Sequence, residues 1–279
     1  MTDKYAVIGN PIAHSKSPQI HKMFAEQTGQ AMDYVPILAS EGMFEFQSEV
    51  NRFFFEQGGK GMNVTLPFKV EAFHLASKKE LRARHAQAAN TLVLKNGALL
   101  ADNTDGVGLI RDIQNNIGIP IANKRVLLIG AGGAAQGVLY PLLEQNPSLL
   151  HVANRTKEKA EVFITTPELA EIIGRIEVRA RAFSELYGQQ YDIIINATSA
   201  GLTDSELPLP TTIFAPGALA YELMYGRETP FMKFARANGA AIVADGLGML
   251  VEQAAESFFM WRGVRPETAP VIAALRNPQ

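Results

Sequence analysis

Residues 126–135 read VLLIGAGGAA, and no other stretch restricts the fold of this chain as tightly. An apolar run of strand length meets Gly130, Ala131, Gly132 and Gly133, after which Ala134 and Ala135 open a helix. Gly130 permits a tight turn, the middle of the loop lets backbone approach a pyrophosphate, and Ala135 lets the helix pack closely against the strand. Phosphate suits this place because a helix start presents N–H groups and the positive end of its dipole. The pattern is the GxGxxA form of a dinucleotide-binding fingerprint.

The next expected strand, Leu149 to Ala153, selects between the two nicotinamide dinucleotides. Its end normally carries an Asp or Glu for the ribose hydroxyls, roughly 20 residues beyond the glycines. Here it carries Asn154 and Arg155, followed by Thr156 and Lys159. The turn offers a hydroxyl and cations to a 2′-phosphate and no carboxylate to repel it, so NADP is favoured over NAD. The other reading, a solvated basic helix start, places cations where the helix dipole disfavours them.

Around this unit the sequence alternates strands and helices. After Gly118 and Pro120 come a strand at 125–129, a helix from Gly133, a strand at 149–153, a helix from Thr156, and strands at 176–179 and 191–196. This is a doubly wound rhythm with right-handed crossovers. Strands at 218–223 and 240–243 and closing helices at 247–261 and 266–276 should follow. The first hundred residues are less regular. Strands at 5–8, 34–38 and 61–66 are separated by helices, Pro67 opens another helix, and Asn96-Gly97 marks a two-residue hairpin turn between 90–94 and 98–102. Antiparallel pairing is expected at one edge of this sheet. The fold class is α/β with two domains: a mixed α/β substrate domain, 1–104 plus 247–279, and a doubly wound Rossmann NADP domain, 105–246.

Composition narrows the function. The 279 residues carry 26 Lys plus Arg against 28 Asp plus Glu, a net charge of -2, without the basic excess that a nucleic-acid partner requires. There is no cysteine, which excludes disulfides, thiolate nucleophiles and cysteine-held metals and suits the cytoplasm. No apolar segment approaches the roughly 20 residues of a membrane span, and no His pair stands at metal-ligand spacing, so neither membrane nor metal is expected.

The strings NPIAHSKSP (10–18), NVTLPFK (63–69), NTDG (103–106), NRT (154–156), INATSAG (195–201) and DGLGMLVEQAA (245–255) occur in this order. Together they resemble the shikimate dehydrogenase family over nearly the whole chain. One segment departs from it: where the family reads GAVNT, this chain has Gln87, Ala88, Ala89, Asn90 and Thr91. The resemblance implies reversible NADPH-dependent reduction of 3-dehydroshikimate to shikimate, on the way to chorismate and the aromatic amino acids. It implies Ser15 and Ser17 as holders of the substrate carboxylate, with Tyr225 a further contact. Asn63, Thr65, Lys69, Asn90, Asp105 and Gln253 would surround the ring, and Met224, Gly246 and Met249 would neighbour the nicotinamide.

Hydride transfer consumes or leaves one proton at the carbinol oxygen, and Lys69 with Asp105 are the candidates to handle it. A cation at a helix start is disfavoured by the dipole, which makes a purely structural Lys69 less attractive. Asp105 would fix the ammonium and bind a neighbouring hydroxyl. Thr198 and Ser199 follow the strand at 191–196, on the carboxyl edge where ligands lie in such sheets. Ser17 before Pro18 reads as a helix N-cap, Asp102 as a solvated strand end. Two alternatives stay open: a quinate/shikimate dehydrogenase with relaxed cofactor use, and a catalytically silent NADP-binding sensor. The oligomeric state is open too, a homodimer being among the states allowed.

Overall fold

The computed structural model describes residues 2–40, 42–165, 176–202 and 204–277. The chain divides into two compact units, the first formed by 1–108 and 250–279 and the second by 109–249. These divisions fall a few residues later than the expected 104/105 and 246/247, so Asp105 belongs to the first unit and Met249 to the second.

Among the described residues, the first unit holds a six-stranded sheet in the order β2-β1-β3-β5-β6-β4. Its strands are β1 (Asp3–Gly9), β2 (Met32–Leu38), β3 (Gly59–Val64), β4 (Lys78–Lys79), β5 (Thr91–Lys95) and β6 (Ala98–Asp102). β1 runs parallel to β2 and β3, while β5 is antiparallel to both β3 and β6. The β5–β6 turn has Asn96 and Gly97 at φ 52° and 74°, the left-handed pair that suits the twist of a two-residue hairpin. The short β4 lies outside it, parallel to β6, so the hairpin is one strand in from the edge.

Helix α1 (Ser17–Thr28) buries Ile20, Phe24 and Ala25 along one stripe and stops at Gly29, φ 64°. Its N-cap position is Lys16, and no side chain caps it there, which corrects the expected role of Ser17. The turn from Ile12 to Ser15 runs straight into the helix, and the Ser15 hydroxyl accepts the Ser17 N–H at 3.3 Å. Helix α2 (Met43–Asn51) continues as a wider turn to Glu56 and buries Phe46, Val50, Phe53 and Phe54. Helix α3 (Lys69–Leu75) begins two residues after Pro67 rather than at it, and α4 (Leu81–Ala86) precedes Asn90.

The second unit's sheet has the order β12-β11-β10-β7-β8-β9, every described pair parallel. Its strands are β7 (Arg125–Ile129), β8 (Leu149–Ala153), β9 (Glu177–Arg181), β10 (Tyr191–Asn196), β11 (Phe214–Glu222) and β12 (Ile242–Asp245). Val126 and Leu128 face one core and Leu127 and Ile129 the other, so strand alternation buries both faces, as a parallel sheet with helices on each side requires. The chain runs outward from β7 to β8 and β9, then crosses back to β10, which leaves a switch point between the carboxyl ends of β7 and β10. Helix α5 (Asp105–Arg111) leads into this unit, and α6 (Gly133–Glu144), α7 (Lys157–Ile164) and α8 (Pro230–Ala237) flank it. Helix α9 (Leu247–Arg262) leads out, and its greater part, from Leu250, joins α10 (Ala269–Arg276) in the first unit.

Candidate active site

In the first unit, β1 and β3 are neighbouring parallel strands, so the loops after Gly9 and Val64 leave the same edge of the sheet. One loop carries Ser15 and Ser17, the other Thr65 and Lys69. Asn90 stands beside Val64, whose N–H it receives at 2.8 Å, and its own N–H donates to the Asp102 carbonyl at the end of β6. Three residues on, Asp105 opens α5. The topology thus brings sequence-distant polar groups to one edge.

Lys69 Nζ donates to Asp105 Oδ2 at 2.5 Å, with both side chains mostly buried. Asp105 Oδ1 accepts from Asn90 Nδ2 at 2.8 Å, and its backbone N–H is held by Asn103 Oδ1 at 3.1 Å. Asn90 also donates to Gln253 Oε1 at 3.2 Å, and its Oδ1 accepts the Thr104 N–H at 2.8 Å. The carboxylate is therefore fixed from both oxygens, and the ammonium is fixed by the carboxylate.

A second cluster lies deeper. Asn63 Oδ1 accepts from Tyr34 Oη at 2.8 Å and from His21 Nε2 at 3.2 Å, while Nδ2 donates to Ser257 Oγ at 2.9 Å and the Asn90 carbonyl at 3.2 Å. Tyr34 shares a side-chain hydrogen bond with Ser17, and burial holds its phenol well above the ordinary value. Burial also lowers His21 to about 3, its ring stacked on Tyr34 at 4.3 Å. The amide of Asn63 is engaged by protein on both its oxygen and its nitrogen. Unspoken-for capacity remains on Ser15, Thr65, Lys69 and Gln253. Ser15 keeps its hydroxyl hydrogen, the Thr65 hydroxyl has no partner among the described residues, and Gln253 Nε2 donates only one bond, to the Leu250 carbonyl at 2.8 Å.

Asp102 is not solvated. It is 1 % exposed and bound by Arg82, which also donates to Glu256 at 3.0 Å. Gln87, at the departure from the family pattern, ends α4 at φ 47°, a left-handed conformation that glycine adopts without cost, and its side chain bonds the Arg84 carbonyl at 2.7 Å.

In the second unit, Gly130 sits at φ 112°, where any other residue is strained, and a Cβ there would lie a tight 3.1 Å from the Ala197 carbonyl oxygen. Beside Gly132 and Gly133 there is open space, and no side chain caps α6. The first N–H groups of that helix are left for a ligand, with Ala131 and Ala134 flanking them. This fits a dinucleotide pyrophosphate. Next to the loop opens a cavity of about 470 Å³ lined by Ala131, Gln136, Glu158, Lys159, Val162 and Phe163. At the end of β8, Asn154 Nδ2 bonds the Thr156 carbonyl at 2.8 Å, which fixes the turn, while Arg155 and Lys159 are exposed with no ion-pair partner among the described residues. Lys157, by contrast, is held by Glu185 at 2.8 Å.

Thr198 follows β10 and is bound through N–H and Oγ1 to Asn196 Oδ1 at 3.1 and 2.8 Å, with Ser199 exposed beside it. Gly246 donates to the Met224 carbonyl at 3.0 Å, and a Cβ there would strike the Leu223 carbonyl oxygen. Met249 packs against a core of this unit. Tyr225 is half-buried, and burial raises its phenol. Sequence reading missed Glu222, Asn196, Tyr34 and His21. A lone carboxylate closing the apolar strand before Leu223 was the available signal for Glu222.

A doubly wound domain with a free glycine-rich helix end and free cations beyond its second strand defines a nicotinamide-dependent oxidoreductase of the NADP type. Family models for the shikimate dehydrogenase substrate binding domain, shikimate/quinate 5-dehydrogenase and the shikimate 5′-dehydrogenase C-terminal domain match residues 7–92, 112–203 and 246–276. The shikimate dehydrogenase (NADP(+)) of Methylobacillus flagellatus is 54% identical over 98% of this chain and 99% of its own. Among solved structures, an Ael1 enzyme from Pseudomonas putida is 48% identical with a TM-score of 0.91, each chain covered to 99%. The shikimate 5-dehydrogenase of Thermus thermophilus in complex with NADP(H) and shikimate is 29% identical with a TM-score of 0.83, again over 99% of both chains. The chain belongs to the NADP-dependent shikimate dehydrogenase family.

Proposed function

We propose that this protein catalyses the reversible reduction of 3-dehydroshikimate to shikimate with NADPH, supplying chorismate and the aromatic amino acids. The observation that carries the proposal is the Lys69–Asp105 pair at 2.5 Å, set beside free donors at one sheet edge. Ser15 and Ser17 would receive the substrate carboxylate, while Asn63, Thr65, Lys69, Asn90, Asp105 and Gln253 would meet the ring oxygens. Asn90 also orients Asp105 and Gln253 through its amide. NADPH, when bound on the second unit, supplies the hydride. Gly130 to Ala134 would hold its pyrophosphate, Arg155, Thr156, Lys159 and Asn154 the 2′-phosphate end, and Thr198, Ser199, Met224, Gly246 and Met249 the nicotinamide end.

As negative charge develops on the carbonyl oxygen, the Lys69 ammonium stabilises it and then gives up a proton. In oxidation the neutral amine takes the proton back. Asp105 keeps the ammonium aimed while accepting a substrate hydroxyl. The absence of cysteine supports a reducing cytoplasmic setting, and no described helix is long and apolar enough to cross a membrane. The test is absorbance at 340 nm with shikimate or quinate, each paired with NADP or NAD. Shikimate with NADP should be turned over fastest; equal rates with quinate or NAD would favour the relaxed quinate/shikimate enzyme, and none with any pair a silent sensor.

A further inference from the structure

We propose that Glu222 is a positioning residue for the nicotinamide half of the cofactor site, its buried carboxylate locking the loops after β10 and β11 to each other. The proposal rests on the reading that NADP binds the second unit. Glu222 closes β11, is 0 % exposed, and has no ion-pair partner among the described residues. It is the register partner of Asn196, the last residue of β10. Its Oε2 accepts from Asn196 Nδ2 at 2.8 Å and from Thr229 Oγ1 at 2.9 Å, and its Oε1 accepts the Met224 N–H at 3.1 Å. Burial raises the carboxyl above its ordinary value against the pull of these donors. A buried carboxylate without a cation is costly, and such groups persist where the surrounding donors are organised around them.

The directions of these bonds carry the argument. A carboxylate only accepts, so Asn196 must turn its NH2 toward Glu222 and its oxygen toward Thr198. That oxygen receives both the N–H and the Oγ1–H of Thr198, and Thr198 Oγ1 in turn accepts the Ala200 N–H at 3.2 Å. The order therefore runs one way from Glu222 to the loop that carries Thr198 and Ser199. On its other side the same carboxylate holds the Met224 N–H, and Met224 takes Gly246 through its carbonyl. A neutral amide at 222 offers one acceptor and one NH2. If its oxygen keeps Met224, its NH2 confronts the NH2 of Asn196, and Asn196 can turn away only by facing an NH2 toward the Thr198 N–H. Either arrangement displaces one of the two loops, and none of these bonds is made by Gly132, Gly133 or Arg155.

The test compares Glu222→Gln with the unaltered full-length enzyme by calorimetry, using NADP+ and adenosine 2′,5′-bisphosphate, the half of the cofactor without nicotinamide. Binding of NADP+ should weaken about tenfold or more while the bisphosphate stays within about twofold, since a well-made hydrogen bond to a charged group is worth roughly that factor. In a Thr198→Val background the same change should cost clearly less, because the run of bonds is already broken. Equal weakening of both ligands, or of neither, would overturn the assignment. Failure of the unaltered enzyme to bind the bisphosphate would instead refute the cofactor reading, and with it the proposal. If Glu222→Gln does not fold, Glu222→Asp keeps the charge on an arm too short for both loops; it should show the same selective loss of a few-fold, and unchanged NADP+ binding would overturn the proposal.

Discussion

The two units prepare for their ligands in opposite ways. In the first, nearly every polar group near the site is already bonded to another: Lys69 to Asp105, Asp105 to Asn90, Asn90 to Gln253, Asn63 to Tyr34, His21 and Ser257. In the second, the parts assigned to the phosphates are open, with bare backbone at Gly132 and Gly133 and, among the described residues, no ion-pair partner for Arg155 or Lys159. A small polyhydroxylated ring needs many weak contacts in fixed positions, and a bonded network holds them there before binding. A phosphate brings its own charge, and a free N–H cradle and an untethered guanidinium suffice to meet it. Glu222 shows that the closed manner returns in the second unit at the end assigned to the nicotinamide.

The sharpest way to break this contrast is Lys69→Ala. Turnover should fall roughly 10²- to 10⁴-fold, with the Michaelis constant for shikimate changed only a few-fold, because binding is spread over the network while the proton belongs to the transition state. Near-normal turnover with poor shikimate binding would make Lys69 an anchor and leave the acid unidentified. Next in size is Arg155→Ala. A charge-assisted contact to the 2′-phosphate is worth about 1.5–3 kcal/mol, so roughly ten- to hundredfold of NADP preference over NAD should vanish. Since Arg155 has no ion-pair partner among the described residues, the urea midpoint should not move; a drop would show that the cofactor half is less open than described.

A third measurement probes the closed network. His21 is held at about 3 in the folded protein by burial, against an ordinary value of 6.5. Below pH 6.5 the unfolded chain takes up a proton that the native ring refuses. The stabilisation is therefore present in full above that value and is lost as pH falls toward 3, at up to about 1.4 kcal/mol per pH unit. His21→Gln should remove this slope, seen as divergence of the two stability curves between about pH 6 and 4; parallel curves would mean that the ring is not buried neutral. The smallest effect concerns Gln87. Glycine relieves the left-handed conformation at φ 47°, so Gln87→Gly should stabilise the protein by about 1 kcal/mol in urea unfolding, and no gain would mean that the side-chain bond to Arg84 compensates.

What the sequence made legible was set by periodicity and by local backbone chemistry. Alternating apolar runs located β7, β8 and β10, the Gly130 turn located the cofactor loop, and Asn96-Gly97 located the hairpin, since each is fixed by neighbours a few residues away. The misreadings concern partners distant in sequence. Asp102 looked solvated because Arg82 and the strand pairing that buries it lie outside its own segment. Ser17 is the local exception: it precedes Pro18 as a cap would, but the helix opens at Ser17 itself and Lys16 holds the cap position.

The second unit is made of one continuous stretch of chain, whereas the first closes only with residues from Leu250 onward. Helix α9 brings Gln253 to Asn90 and Ser257 to Asn63. During synthesis on a ribosome, the amides of Asn63 and Asn90 therefore wait for partners while the whole NADP-binding unit emerges and folds as a domain of its own. The order of translation makes the substrate half the last part of this protein to mature, and a chain stopped before Leu250 would hold the whole nucleotide fold together with a half-site in which Asn63 lacks Ser257 and Asn90 lacks Gln253.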